Sequence, residues 1–214
     1  MIASARKATG AGAVLVAGLT VGLLVALTAC GGTGGTGGTA AGNQTKTTSP
    51  TSAATEFRPP GDIPDTQPYT PYRVPGSTVH LKVPAGWGSS TKAGVVTFSD
   101  HYNSVSIQVV KLTAALTPSS VSQSVLPALR TSVAKFQPGQ VSWVQRQHGR
   151  MVRITYLHDS AADSVTGKVV RDASERYELA HAGQVAVLTL TGPKNADNVD
   201  PWRKISNSLR WGAK

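Results

Sequence analysis

Cysteine and acidic residues are scarce in this sequence. It has one cysteine among 214 residues, and 11 Asp and Glu against 21 Lys and Arg, which gives a net charge of +10. A single cysteine excludes a framework of intramolecular disulfides, so a folded domain has to be stable from its apolar core alone. The excess of positive charge favours anionic partners.

The single cysteine, Cys30, stands at the end of an apolar segment. Arg6 and Lys7 are the only charged residues before it, and residues 11–29 are rich in Val, Leu, Ala and Gly. A basic start, an apolar run and small residues before a cut are the parts of a secretory signal peptide. The run also approaches the ~18 residues of an uncleaved membrane-spanning helix, an alternative that its glycines disfavour.

The four residues Leu27-Thr28-Ala29-Cys30 resemble the lipobox of bacterial lipoproteins. The resemblance implies that residues 1–29 are a signal peptide cleaved after Ala29, and that Cys30 carries the lipid. Lipidation also removes the reactive thiol that an odd cysteine leaves in an exported protein. We therefore expect a protein anchored to the cell membrane through acylated Cys30, with its chain on the outer, extracytoplasmic face.

Residues 30–75 are predicted to be a tether that begins at the lipidated cysteine. Residues 31–55 consist largely of Gly, Thr, Ser and Ala, so they bury too little apolar surface to fold and should be disordered. The six prolines of residues 59–75 favour a stiff, extended backbone. This second part is either a spacer or a strap whose Tyr69 and Tyr72 lie on the domain. A spacer packs against nothing, so its removal should leave stability unchanged.

Residues 76–214 are predicted to form a single α+β domain. Alternating apolar residues predict a strand over residues 78–83, and hairpins are expected over residues 95–112, 141–157 and 176–191. Because hairpins dominate, about six to seven strands should form an antiparallel sheet with two helices packed on it. The buried face of the first strand should carry Val79, Leu81 and Val83.

Two helices are expected between and after these strands. Thr117-Pro118 offers a cap and a first-turn proline for a helix that should end at residues 137–139. Pro127 should kink that helix or delay its start to Ser124. Asp200-Pro201 should cap the second helix. The predicted order is therefore three strands, a helix, four strands and a helix.

Two short motifs accompany this order of elements. The sequence V-P-A-G-W follows the first strand at residues 83–87, and I-S-N-S-L-R-W occupies residues 205–211. Together they resemble the PsbP/Mog1-like domains and the small LpqN-like lipoproteins of high-GC bacteria, over roughly residues 77–211. The resemblance implies a non-enzymatic accessory or binding domain and brings no catalytic residues.

No catalytic or metal-binding motif is visible in the sequence. Five histidines are scattered without the i, i+4 spacing of a helical zinc site. His158-Asp159-Ser160 contains the residue types of a hydrolase triad, but consecutive residues do not form one. Residues 195–200 are rich in oxygen ligands and lack the spacing of a calcium loop. We therefore predict no enzyme activity, no metal and no cofactor.

Four tryptophans stand out in a chain with only 6% aromatic residues. They either fill the core between sheet and helix or line an apolar ligand pocket there. The second alternative would suit a carrier of an apolar ligand or lipid. The four are Trp87, Trp143, Trp202 and Trp211.

Five cations cluster in the sequence around the second hairpin and the loop that follows it: Arg146, Arg150, Arg153, Lys168 and Arg171. We predict that they bind anionic lipid headgroups or a cell-wall polymer. An envelope protein is a further candidate partner, and nucleic acid is not expected outside the membrane. The predicted function is thus a non-catalytic accessory or binding domain of a membrane-anchored envelope lipoprotein. The alternative is a carrier of an apolar ligand or lipid held between sheet and helix.

Overall fold

The computed structural model describes residues 59–212, which contain ten strands and two helices. The strands before the first helix are β1 (Tyr69–Arg73), β2 (Val79–Pro84), β3 (Gly88–Lys92), β4 (Val95–Asp100) and β5 (Asn103–Lys111). After them come α1 (Pro118–Ser132), β6 (Gln137–Arg146), β7 (Gly149–Asp159), β8 (Arg171–His181), β9 (Gln184–Pro193), α2 (Val199–Ser208) and β10 (Arg210–Trp211). No helix within this range is long and apolar enough to cross a membrane. The predicted signal peptide, Cys30 and the Gly/Thr-rich part of the tether lie outside the described residues.

The strands form two antiparallel sheets. The larger sheet has seven strands in the order β3-β4-β5-β9-β8-β7-β6, and the smaller has the order β1-β2-β10. All three predicted hairpins are present in the larger sheet, where pairing of β5 with β9 joins the first hairpin to the third. The predicted α+β class, an antiparallel sheet with two helices, is confirmed. The smaller sheet is an addition that the sequence does not predict.

The seven-stranded sheet is buried on both faces at its centre, because successive side chains of a strand point to opposite sides. On one face, Val121 of α1 packs against Val152 and Ile154. On the other face, the small sheet and α2 cover the main core. Its members include Val79, Leu81, Val83, Ile107, Tyr177, Leu188 and Ile205. The predicted inward face of the first strand is therefore confirmed.

Helix α1 begins at Pro118 because Thr117 caps it. Thr117 Oγ1 accepts a hydrogen bond from Ser120 N at 3.0 Å, and Ser120 Oγ accepts one from Thr117 N at 3.0 Å. This capping box fixes the first turn, and the helix then runs through Pro127 to Ser132. The later start at Ser124 is therefore wrong.

The predicted end of α1 is also wrong, because Gln137, Pro138 and Gly139 already belong to β6. The register against β7 shifts between Pro138 and Val141, which marks a bulge in an edge strand, where proline is tolerated. A Cβ at residue 139 would overlap the side chain of Thr155, so this close approach requires glycine. Proline and glycine end helices and also shape edge strands, which is why the sequence alone misplaces this boundary.

The predicted cap of the second helix, Asp200, is wrong as well. Asn198 occupies the capping position of α2, and Asp200 lies in the first turn, where it pairs with Arg203 at 3.3 Å. The Asn198 side chain makes no capping hydrogen bond to the helix. It is held instead by partners from distant parts of the chain.

Asn198 belongs to a buried pair of amides that fastens the N-terminal segment to the sheet. Its Oδ1 accepts a hydrogen bond from Ile63 N at 2.8 Å, and its Nδ2 donates to Gly61 O at 3.1 Å and to Asn103 Oδ1 at 2.9 Å. Asn103 Nδ2 donates to Gly61 O at 2.8 Å. Both amides are buried, so these bonds satisfy groups that water cannot reach. We call Asn103 and Asn198 the asparagine clamp.

The Pro-rich segment is therefore part of the folded domain, as a strap and not as a spacer. Residues 69–73 pair with β2, the Tyr72 ring lies edge-on to Phe98 with 4.9 Å between centroids, and Ile63 and Val74 are buried. The domain thus includes residues 59–75 in addition to those predicted. Because the segment buries apolar side chains against the core, its removal should lower the stability of the domain, as expected for a strap.

The predicted order of three strands before α1 is wrong for a physical reason. Strand β1 contains a proline, and β3 has the sequence GSSTK, which is exposed throughout at the edge of the large sheet. Neither shows the alternation of apolar and polar residues that marks a half-buried strand.

Replacing Asn198 by Ala should lower the free energy of unfolding by about 2–4 kcal/mol, because Ile63 N–H and the Asn103 amide lose buried partners. Urea unfolding of the purified protein measures this change. Asn195→Ala, at an exposed position before the same helix, is the control and should change stability by less than ~0.5 kcal/mol. Equal stability of the two variants would contradict the role of the clamp.

Candidate functional site

Helix α2 contributes to two clefts that are lined by cations. One has a volume of about 390 Å³ and lies against β7 and β8, and the other has a volume of about 470 Å³ and lies against β1, β2 and the β6–β7 turn. We name them after the tyrosine in each, the Tyr177 cleft and the Tyr69 cleft. The cations of the Tyr177 cleft are Arg146, Arg153, Lys194 and Arg203. Those of the Tyr69 cleft are Lys82, Lys204 and Arg210.

A hydrogen-bonded network fixes the side chains of the Tyr177 cleft. Arg146 donates from Nη2 to the Tyr177 hydroxyl at 3.0 Å and from Nε to Ser206 Oγ at 2.9 Å. The Tyr177 hydroxyl donates to Glu175, which pairs with Arg153 at 3.3 Å. Burial raises the pKa of Tyr177 and the charge of Glu175 raises it further, so the phenol stays protonated. The cleft is therefore preorganised without a ligand.

Both clefts carry an excess of positive charge. Among residues 59–212, Glu175 is the only carboxylate that lines the Tyr177 cleft, and it is already paired with Arg153, while none lines the Tyr69 cleft. Within residues 59–212, Arg146 and Lys194 form no ion pair. A concave surface with cations of one sign concentrates anions, so both clefts favour an anionic ligand.

Strand register and helix spacing assemble the Tyr69 cleft. His80 on β2 lies opposite Arg210 on β10, and directly opposed residues share a face of a sheet. Lys82, two residues further along β2, lies on that same face. Lys204 and Ser208 lie one turn apart on α2, and Lys82 N donates to Ser208 Oγ at 2.7 Å, which ties the helix to the strand.

The side chain of Tyr69 carries a polar group that the rest of the described domain does not satisfy. Its hydroxyl is buried and has no hydrogen-bond partner among the described residues. Burial raises the pKa of Tyr69, and the nearby Asp65 carboxylate raises it further, so the hydroxyl keeps its proton. An unsatisfied buried donor costs about 1–3 kcal/mol.

The five cations predicted from the sequence do not form one surface. Arg146 and Arg153 come together in the Tyr177 cleft, but Arg150 lies on the face that packs against α1, with its guanidinium 4.1 Å from the Trp143 ring centroid. Arg171 pairs with Asp159 at 2.9 Å, and Lys168 lies in the loop after β7. Neighbouring strand residues alternate between faces, so nearness in sequence does not place them together.

The sequence offers no local signal for most of the cations that do meet at α2. Lys82 and Arg210 lie on strands of the small sheet, and Lys194 follows β9, so each is far from the others along the chain. The only local indication of the clefts is the pair Arg203 and Lys204, two adjacent basic residues on a helix that has one apolar face. Only the tertiary fold brings the full set together.

A histidine and a serine do come into contact, but their geometry does not form a hydrolase site. His158 Nε2 lies 2.8 Å from Ser174 Oγ, which also lies 2.7 Å from Thr191 Oγ1. Ser174 is only 2% exposed, so a substrate cannot reach its hydroxyl. Residues 59–212 also contain no group of three or more His, Cys, Asp or Glu side chains that could hold a metal ion.

The tryptophans divide between the core and the surface. Trp87, Trp202 and Trp211 pack partly buried against the main core, and Trp143 is 36% exposed beneath Arg150. The cavity between α1 and the sheet has a volume of about 140 Å³, well below the ~300 Å³ at which small-molecule sites begin. This space gives the apolar-carrier alternative no support.

Comparison with known proteins finds similarity between this chain and solved structures only. No protein-family model and no curated protein matches the chain. Among solved structures, it is similar to the cyanobacterial PsbP of Synechocystis, with 14% identity, 67% of this chain and 92% of that chain covered, and a TM-score of 0.46. For the Ran-binding protein Mog1p of Saccharomyces cerevisiae, identity is 9%, coverage 67% and 95%, and TM-score 0.44.

The chain is also similar to LpqN of Mycobacterium tuberculosis, a protein involved in cell envelope biogenesis, with 18% identity, 70% of this chain and 93% of that chain covered, and a TM-score of 0.42. It spans 46% of the length of another matched structure, from Bacteroides thetaiotaomicron. The names PsbP, Mog1p and LpqN are those of the families that the sequence motifs resemble. Likenesses this distant say nothing about the ligand of the two clefts.

A buried carboxylate lies outside these clefts, at the base of the loop that carries Lys168. Asp172 is 6% exposed, and its Oδ1 has no hydrogen-bond partner in residues 59–212. Burial raises the pKa of Asp172, and the nearby His158 partly opposes this effect. In the same loop, backbone and side-chain hydrogen bonds from Thr166 lower the pKa of the exposed Asp163.

Replacing Asp172 by Asn should raise the melting temperature at pH 7 by about 2–4 °C and have little effect near pH 3. A raised folded-state pKa means that stability falls as pH rises from the ordinary Asp value of about 3.9 through the folded value. Asp163→Asn should do the reverse and lower stability at pH 7, because that pKa is depressed in the fold. Melting curves between pH 3 and 8 test both; the same sign for the two variants would contradict the assignment.

Proposed function

We propose that the protein is an exported, membrane-anchored lipoprotein, and that its folded domain is a non-catalytic binding module. Its binding surface is the pair of clefts beside α2, and the partner we favour is the anionic headgroup layer of the membrane that holds the anchor. The charge of the clefts is the observation that carries this proposal, since seven cations and one paired carboxylate line them in the described part of the chain.

Anchoring and electrostatic binding support each other in this proposal. A domain held near a membrane meets that surface at a high effective concentration, so each contact needs to be only weak. A cation near an anionic membrane contributes about 1 kcal/mol. Residues 31–58 link Cys30 to the domain, and a chain spans at most ~3.5 Å per residue, which leaves ample length for the clefts to reach the headgroups.

A non-catalytic role agrees with the chemistry of the clefts. Tyr177 and Glu175 are hydrogen-bonded to each other and to arginines, so neither is poised as a base or a nucleophile. The contact of His158 with Ser174 is closed to substrate because Ser174 is buried. The arrangement is therefore suited to binding an anion and not to transforming it.

Replacing Cys30 by Ala should release the protein from the membrane fraction or leave it unprocessed, because the proposed lipid is attached to this sulfur. Metabolic labelling with an alkyne fatty acid, followed by fractionation, measures the effect. Thr28→Ser, which keeps a small residue before the proposed cut, is the control and should be labelled like wild type. Equal labelling of the Cys30 variant and wild type would refute the lipobox assignment.

The double variant Arg203→Gln, Lys204→Gln should bind phosphatidylglycerol vesicles about 30-fold more weakly than wild type, as two cations contribute about 2 kcal/mol together. Vesicle sedimentation at low salt and at 150 mM salt measures this. The control is Lys92→Gln, Arg130→Gln, which removes two exposed charges away from the clefts. Similar losses in both would indicate a general charge effect. Binding that is insensitive to salt would instead favour a protein or apolar partner.

A further inference from the structure

We propose that the Tyr69 cleft is a specific site for a phosphate ester, bound through the Tyr69 hydroxyl, Lys82, Lys204 and Arg210. This inference rests on the proposed function, that the clefts beside α2 take an anionic partner, and it names the chemical group recognised at one of them. The remaining lining residues would then contact the organic part of the ester.

The four anion-binding groups are carried by regular elements that are fastened to one another. Tyr69 lies on β1, Lys82 on β2, Arg210 on β10 and Lys204 on α2. Strand pairing holds β1 and β10 on either side of β2, and the bond from Lys82 N to Ser208 Oγ, at 2.7 Å, holds the helix. A site on rigid elements loses less entropy on binding than a site on loops.

The unpartnered Tyr69 hydroxyl is the observation that separates a specific site from a basic surface. Tyr69 lines the cleft, and its hydroxyl is buried and has no hydrogen-bond partner within residues 59–212. Burial and Asp65 raise the pKa of Tyr69, so the group remains a donor. The hydroxyl is closed to solvent in the free fold, so a bound ester has to draw the Tyr69 side chain toward the cleft. A ligand oxygen would then satisfy the donor, and the energy that the free fold loses by burying it unpaired would be recovered on binding.

The charge and size of the cleft select a phosphate ester among anions. Within residues 59–212, three cations and no carboxylate line the cleft, which suits a group that carries up to two charges. Phosphate also offers several acceptor oxygens to converging donors. The volume of about 470 Å³ lies within the ~300–1,000 Å³ of small-molecule sites and far exceeds a lone phosphate. Pro71 and Leu81 line the cleft as well, which provides apolar contact for the carbon skeleton of an ester.

Two histidines among the lining residues add hydrogen-bonding capacity to the cleft. His80 lies opposite Arg210 in the small sheet, and His148 lies in the turn between β6 and β7. An imidazole can donate to a phosphate oxygen in either protonation state. The donors of the cleft therefore come from both sides of the space that the ester would occupy.

The test compares Tyr69→Phe with Tyr72→Phe in the full-length purified protein. Calorimetric titration with glycerol phosphate at low salt should give a dissociation constant about 10–100-fold weaker for Tyr69→Phe, since one donor to a charged oxygen is lost. Tyr72→Phe removes a hydroxyl three residues further along β1, from the ring that packs on Phe98 and does not line the cleft, and should bind like wild type. Equal affinity of Tyr69→Phe and wild type would overturn the proposal.

Thermal unfolding of the unliganded variants provides an independent readout. The Tyr69 hydroxyl has no partner to lose, so Tyr69→Phe should keep or slightly raise the melting temperature. A clear fall would mean that the hydroxyl serves the fold, and would also overturn the proposal. Weaker ligand binding with undiminished stability is the combination that a merely structural tyrosine does not produce.

Vesicles separate this inference from the proposed function and identify the source of the phosphate. Salt-sensitive binding to phosphatidylglycerol, with no effect of Tyr69→Phe on either ligand, would leave the proposed function standing and refute the specific site. Preference for phosphatidic acid over phosphatidylglycerol at equal surface charge, lost in Tyr69→Phe, would support a lipid phosphate monoester. Binding of glycerol phosphate without any vesicle preference would support a soluble ester in the same cleft.

Discussion

The asparagine clamp is the contact on which the candidate site depends. Asn103 and Asn198 hold Gly61 and Ile63 through three hydrogen bonds, and a fourth joins the two amides to each other. That attachment brings the chain onto the domain before β1, so that β1 can pair with β2 and complete the small sheet. The Tyr69 cleft has β1 as one wall, so its shape depends on two amides that do not line it.

The asparagine clamp also explains how α2 is attached to the rest of the domain. An asparagine before a helix normally uses its side chain to cap it. The Asn198 side chain binds the strap and does not cap α2. The helix is held to the domain by the burial of Ile205 and Leu209 and by the hydrogen bond between Ser208 and β2. With its inner face fixed in this way, α2 presents Arg203 to one cleft and Lys204 to the other.

The parts of the fold that follow from local periodicity are predictable from the sequence. The alternation of Val79, Leu81 and Val83, the hairpins, and the cap at Thr117 each depend on residues close together in the chain. Strand β3 is not predicted because none of its side chains is buried. Strand β1 is not predicted because its proline suggests a linker. The clefts could not be predicted from the sequence for a different reason. Lys82 and Arg210 are joined only through the pairing of β2 with β10, and no local pattern encodes that pairing.

The clamped residues precede β1 in the chain, and this order bears on how the domain responds to tension. A pull transmitted from the chain before residue 59 enters the described domain near Gly61 and Ile63, which the clamp secures with several hydrogen bonds. It therefore meets the clamp before it meets β1, which is an edge strand held by pairing with β2 alone. Because the clamp stands between the preceding chain and the cleft wall that carries Tyr69, such a pull would load the clamp's hydrogen bonds first.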